Sequence, residues 1–112
     1  MAGVYEVEFG GEATLEGMLV LLRELDDRAK ERPGLRAILD ESNLRVSQLR
    51  VGDVRQIIDA FRLARHIRSA RVAIVAPSPV VYGMNRMAMA FADANDVFCV
   101  FRTREEAEAW LA

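Results

Sequence analysis

Two short segments of the chain consist almost entirely of apolar residues, and each is followed by a segment with helical character. They are Arg71 to Ala76 and Val97 to Phe101. An unbroken apolar run of this length is typical of a strand that is covered on both faces, as in a parallel sheet. The helix after the first run begins at Ser78-Pro79 and carries a stripe of apolar residues that we expect to be buried, namely Val80, Met84, Met87, Ala88 and Phe91.

The rest of the chain repeats this strand-helix pattern. Val4 to Phe9 and Leu35 to Asp40 are predicted strands, and Thr14 caps a helix with apolar residues at helical spacing from Leu15 to Leu25. Asp53 and Gln56 form a predicted capping box at the start of the second helix, and Thr103 and Glu106 form one at the start of the last helix. The order is β-α-β-α-β-α-β-α, which predicts an α/β fold with a four-stranded parallel sheet and helices on both faces. We expect the strand order 2-1-3-4 and one domain over residues 1–112.

Composition excludes several classes of function. The 112 residues include 52% hydrophobic residues, one Cys and one His, and the formal charge is −2. This balance argues against nucleic-acid binding, and a single Cys excludes an internal disulfide or a multi-cysteine metal site. The N-terminus lacks the pattern of a signal peptide, and no apolar run approaches the length of a membrane span. We therefore expect a cytoplasmic protein without a membrane span, cofactor or metal.

The residues that most often carry chemistry are few and isolated. Cys99 lies within an apolar strand and is predicted to be buried and inert, and His66 follows a helix end, where a capping role is expected. Asp40 and Glu41 are adjacent carboxylates at the end of a predicted strand, at the sheet edge where open α/β folds bind ligands. The favoured interpretation is that Asp40 binds nearby backbone N–H groups, and catalysis through Asp40 is a distant alternative.

Two further groups of residues are candidate binding surfaces. The long segment from Glu41 to Gly52 is predicted to be a loop, and long loops are often functional. With the start of the next helix it forms a candidate partner-binding loop, chiefly Ser42, Ser47, Arg50 and Asp53. The second group lies off the expected core stripe of the third helix and predicts an apolar ligand pocket or a homodimer surface; it comprises Val81, Tyr82 and Met89, with Arg86 nearby.

Several segments together resemble the STAS superfamily, the fold of bacterial anti-sigma-factor antagonists. More narrowly, the chain is similar to a bacterial branch of that superfamily, largely of unknown function, that is also compared with CRAL-TRIO lipid-binding domains. The resemblance covers nearly the whole chain, and the segments that carry it are Val7 to Glu12, Ala37 to Asp40, Arg71 to Ala76 with Tyr82 to Met87, and Val100 to Arg102 with Glu106 to Leu111.

The resemblance implies a small non-enzymatic module that acts by binding another protein. Antagonists of the superfamily carry Asp-Ser-Ser-Gly before the second helix and are phosphorylated on a serine there, whereas this chain has Arg45 to Asp53 in that place. We therefore expect a protein-interaction or regulatory module without the phosphoserine switch. The alternative is a binder of a small apolar or lipid-like molecule, and a cavity of ~300 Å³ or more would favour it.

Overall fold

A computed structural model describes residues 1–112 and contains the predicted alternation of strands and helices. The four main strands are β1 (Val4–Glu8), β3 (Arg36–Asp40), β5 (Arg71–Val75) and β6 (Phe98–Phe101), and two-residue strands occur at β2 (Gly11–Glu12) and β4 (Leu44–Arg45). The helices are α1 (Leu15–Glu31), α2 (Val51–Leu63), α3 (Pro79–Ala92) and α4 (Arg104–Leu111). A short 3-10 turn, Ile67–Ser69, leads from α2 to β5.

All four main strands are parallel, and their order is β1-β3-β5-β6. The expected order 2-1-3-4 is therefore wrong, because each strand lies beside the next one along the chain. β1 is an edge strand, and Glu6 and Glu8 of its alternating pattern are exposed to solvent. The central positions belong to β3 and β5, most of whose residues are buried. A sheet wound in one direction has no topological switch point, so the predicted ligand crevice at such a point does not exist here.

The strand order determines which face each helix covers. Right-handed crossovers that always step in the same direction place α1, α2 and α3 on one face. The core on that face contains alternate strand residues such as Leu39, Val72 and Ile74. On the other face, α4 alone covers the sheet, packing Ala107 and Leu111 on a smaller cluster. Helices thus cover both faces, three on one and one on the other.

Hydrogen bonds at the helix ends follow the sequence signals in most places. Thr14 Oγ1 accepts from the Gly17 N–H at 3.0 Å, which caps α1, and Thr103 Oγ1 accepts from the Glu106 N–H at 3.3 Å, which caps α4. Gly34 has φ of +78°, a conformation that glycine adopts without steric cost, and it turns the chain from α1 into β3.

The segment from Glu41 to Gly52 is more ordered than predicted. Its strand β4 pairs in parallel with β2, so Gly11 lies opposite Leu44. Helix α2 starts at Val51 rather than at Asp53, with Arg50 as the N-cap residue. Asp53 occupies the third helical position, and its Oδ2 accepts from the Arg50 backbone N–H at 3.0 Å. The Asp53 carboxylate therefore caps the start of α2 as predicted, but from the third position of the helix and not from the N-cap position.

The buried side of α3 differs from the predicted one. The residues that face the sheet are Val81, Asn85, Met89 and Ala92. The expected core residues Val80, Met87 and Phe91 are 67%, 54% and 66% exposed. Both stripes have helical spacing, and only one of fourteen residues in α3 is charged, so periodicity alone does not distinguish them.

Candidate functional site

An apolar pocket lies between α2 and the sheet, with walls from α1 and α3. Its volume is about 120 Å³, and seventeen of the nineteen residues that line it are hydrophobic. The apolar lining residues are Met18, Leu21, Leu22 and Leu25 of α1; Leu39 and Leu49; Val54, Ile57, Ile58 and Phe61 of α2; Ile74; Met84, Ala88, Met89 and Ala92 of α3; Ala94; and Phe98.

The pocket exists because α2 packs mainly on its two neighbouring helices. Among the α2 residues only Phe61 is buried, while Val54, Ile57 and Ile58 are only partly buried. The small side chains of Ala88 and Ala92 on α3 leave the space beneath α2 unfilled. The apolar face of α2 therefore lines a partly open space instead of closing the core.

Two polar residues, Glu41 and Asn85, complete the lining of the pocket. Glu41 directly follows β3 and is 2% exposed, and Asn85 is 9% exposed. Asn85 Nδ2 donates to Glu41 Oε1 at 2.7 Å and to the Val81 carbonyl at 3.0 Å. The backbone of Glu41 is held by its N–H, which donates to the Val75 carbonyl at 2.9 Å. The pair therefore forms a fixed polar end to an otherwise apolar pocket.

Burial is the main reason why the Glu41 carboxyl has an unusual pKa. Loss of solvation raises the pKa of Glu41 to about 7, the hydrogen bond from Asn85 opposes the rise, and the charge of Asp40 adds to it. A carboxyl in this state exists in both protonation states near neutral pH. It can donate a hydrogen bond when protonated and can pair with a cation when ionised.

The sequence patterns do not indicate that these two polar residues are paired. Glu41 is next to Asp40 in the sequence, and Asn85 does not belong to the apolar stripe that was predicted for the core side of α3. The signal that could have joined them is the position of Asn85 within the apolar series Val81, Met89 and Ala92, because a buried amide at such a position needs a polar partner.

The four residues of the predicted partner-binding loop do not form one cluster of free side chains. The Ser42 N–H and Oγ both donate to Asp40 Oδ1, at 2.9 and 2.5 Å, which confirms the expected role of Asp40 at the strand end. Ser47 Oγ donates to Glu12 Oε1 on β2. Arg50 and Asp53 form the start of α2, as described above. Each of the four takes part in local structure, and both serines are exposed.

The predicted pocket or dimer surface on α3 is divided by the observed orientation of the helix. Val81 and Met89 are 2% and 7% exposed, so a dimer surface through them is wrong; Met89 instead lines the pocket. Tyr82 is half-buried, and the guanidinium groups of Arg86 and Arg102 lie 5.9 and 5.4 Å from its ring centre. Arg86 is exposed and does not line the pocket.

The remaining candidates for chemistry have no reactive arrangement. Cys99 is only partly buried, not fully buried as predicted, and this partial burial raises the pKa of its thiol, which disfavours the reactive thiolate. Asp26 Oδ1 accepts the backbone N–H groups of His66 and Ile67 at 2.8 and 2.9 Å and fixes the turn that follows α2. No group of three His, Cys, Asp or Glu side chains could hold a metal ion. None of the helices has both the length and the apolar character needed to cross a bilayer.

The outer face of α3 carries the apolar stripe that was expected in the core. Val80, Met87 and Phe91 are more than half exposed, and Met84 lies between this stripe and the pocket. At the end of the stripe, Arg62 Nη2 of α2 donates to the Phe91 carbonyl at 2.8 Å. We call Val80, Met87 and Phe91 the α3 stripe.

Comparisons with protein-family models, with curated proteins and with solved structures found no match to this chain.

Proposed function

We propose that the protein binds a small apolar molecule in the pocket beneath α2. The observation that supports this proposal is the composition of the lining, in which seventeen of nineteen residues are hydrophobic and two hydrogen-bonded polar residues lie together. Ligand sites in proteins have this composition, an apolar wall with a few fixed polar groups. The composition of the pocket lining supports this alternative to a partner-binding loop, whereas the volume of about 120 Å³ does not reach the ~300 Å³ that would favour it.

The size of the pocket limits the ligand. Its volume of about 120 Å³ is below the ~300 Å³ of a typical ligand site and is closer to cavities of roughly 150 Å³ that bind benzene. A single aromatic ring or a short alkyl chain fits this space. A longer ligand requires α2 to move outward, and α2 has one buried residue to oppose such a movement.

The binding of toluene tests this proposal directly. We expect toluene to shift the methyl NMR signals of the lining residues Leu39, Ile57 and Ile74, and to raise the melting temperature by mass action. Ala88→Leu places a larger side chain into the pocket wall and should abolish both effects. Ala90→Leu makes the same change on an exposed part of α3 and should leave both effects intact.

A different observation, the α3 stripe, favours a second function, which is self-association. α3 carries one charged residue in fourteen, which is exceptional for the solvent-facing side of a helix. Two copies of α3 packed antiparallel about a two-fold axis would place Val80 of one copy against Phe91 of the other. Met84 of one copy would likewise contact Met87 of the other. The two residues of each pair, Val80 with Phe91 and Met84 with Met87, lie at equal distances on either side of the midpoint of α3.

The stripe is short, so we expect a weak dimer. One helix face offers less than the ~800 Å² per partner of a standard interface, and assemblies of this size are usually transient. We expect sedimentation equilibrium to show a monomer–dimer equilibrium in the high micromolar range. A sample that stays monomeric up to millimolar concentration would contradict self-association and would leave a different protein as the partner of the stripe.

The relationship to the STAS superfamily remains our hypothesis, and it is supported by the alternating strands and helices in the segments quoted above. We also retain the proposal of a non-enzymatic module without a phosphoserine switch. The environment of Ser47 supports the absence of a phosphoserine switch. The Ser47 hydroxyl donates to the Glu12 carboxylate, so a phosphate on Ser47 would be repelled by a group of like charge.

A further inference from the structure

When Glu41 is ionised, the polar end of the pocket has hydrogen-bond acceptors but no free donor. Glu41 Oε1 accepts from Asn85, whereas Glu41 Oε2 accepts no hydrogen bond from the chain. Both N–H groups of the Asn85 amide are in use, one to Glu41 and one to the Val81 carbonyl, and its Oδ1 has no partner. Two acceptor atoms therefore remain on side chains that line the pocket. A ligand that satisfies them must donate hydrogen bonds.

The same end of the pocket also lacks a positive charge. Glu41 is the only ionisable residue among the nineteen that line the pocket, and α1, α2 and β5 contribute only apolar side chains. On α3, Asn85 is the only polar lining residue. The charged group that acts on Glu41 is Asp40, which has the same sign, and none of the ion pairs in the chain includes Glu41. A buried carboxylate without a cation is costly, so most buried acidic groups are paired.

We infer that the pocket takes an apolar amine, with the ammonium group against Glu41 and Asn85 and the apolar body against α1 and α2. This inference rests on the proposed function and specifies the chemical class of its ligand. A protonated amine provides three N–H donors and one positive charge, which are the two features that the pocket lacks. A carboxylate ligand would meet the like charge of Glu41, and a hydrocarbon would leave both acceptors unpartnered.

Binding of a cation should release a proton. Free Glu41 is mostly protonated below its pKa of about 7, and it must ionise to pair with an ammonium group. The affinity for the amine should therefore fall as the pH decreases below about 7, and it should level off above that value. The affinity for a neutral ligand of the same shape should not follow this dependence.

Three ligands of nearly equal shape test the inference, namely benzylamine, benzyl alcohol and toluene. Isothermal titration of the full chain should give benzylamine the highest affinity of the three near pH 8. The affinity of Glu41→Gln for benzylamine should be about tenfold or more lower than that of the native chain, whereas its affinity for toluene should differ by about twofold at most. With the native chain about one pH unit below 7, titration in buffers of different ionisation enthalpy should show roughly 0.9 proton released per benzylamine.

The outcomes separate this inference from the proposed function. Preference for benzylamine that disappears in Glu41→Gln, together with proton release, supports the inference. Equal binding of all three ligands, or binding of benzylamine without proton release, overturns it and leaves the apolar pocket as a binding site. Absence of binding by toluene as well as by the other two overturns the proposed function and the inference with it. Proton release is measured on the native chain, so the test does not depend on the folding of Glu41→Gln.

Discussion

Replacement of Glu41 by Gln should make the protein more stable at alkaline pH, although it changes a hydrogen-bonded residue. The Gln side chain has nearly the same shape, and its Oε1 can still accept from Asn85 Nδ2, which lies 2.7 Å from the native oxygen. What the substitution removes is the ability of a side chain that is 2% exposed to become an anion. The effect on the free energy of unfolding therefore depends on pH.

The sign follows from the direction of the pKa change. The folded-state pKa of Glu41 is about 7, above the ordinary value of 4.5, so between these values the folded chain holds a proton that the unfolded chain has released. The free energy of unfolding consequently falls as the pH rises from about 4.5 to about 7, and the full loss is present above that window. The rise of the Glu41 pKa from 4.5 to about 7 corresponds to a full loss of about 3 kcal/mol in the free energy of unfolding.

Urea unfolding of the native chain and of Glu41→Gln, between about pH 5 and pH 8, measures this loss. The difference between the two free energies of unfolding should grow by about 2.5 kcal/mol in favour of Glu41→Gln across that range, because part of the loss is already present at about pH 5. Glu31→Gln makes the same chemical change at an exposed position and controls for net charge. If the curves of the native chain and Glu41→Gln differ by a constant amount, within about 1 kcal/mol, the carboxyl is not buried as described.

Four other results are expected. Ile74→Ala should lower the free energy of unfolding by about 2–5 kcal/mol in urea titrations, because the residue is buried in a central strand, and a loss well below 1 kcal/mol would contradict its place in the core. Deletion of residues from Glu105 to Ala112 should cause unfolding or aggregation, seen by circular dichroism and light scattering, because α4 alone covers the second face of the sheet. Met87→Lys should abolish the weak dimer in sedimentation equilibrium, whereas Val20→Lys, at an exposed position on α1, should preserve it. Mass spectrometry of the protein from native cells should find no growth-dependent phosphate on Ser42 or Ser47, and stoichiometric phosphate on either serine that changes with growth state would restore the serine switch.

The sequence determined the four main strands, the four helices and several of their ends, because the signals for them are local, but it did not indicate β2, β4 or the start of α2 at Val51. Thr14 and Thr103 cap helices by bonds to N–H groups three residues away, and Pro79 can only begin a helix at its first turn. Strand β5 is apolar from Val72 to Val75 because both of its faces are covered, and this apolar run is visible in the sequence without knowledge of the neighbouring strands. The α/β class follows from the order of such elements.

Tertiary structure decided which strands are neighbours and which side of α3 is buried. The four strands can pair in several orders with the same connections, and the position of β1 at the edge follows from packing over the whole sheet. On α3, both candidate stripes are apolar, so the side of the helix that is buried depends on which residues of the sheet and of the neighbouring helices pack against it. Asn85 is buried because Glu41 from the end of β3 provides its partner, and these two residues are 44 positions apart in the chain. Local sequence patterns do not contain an interaction over that separation, and the polar end of the pocket, the centre of the proposed function, depends on it.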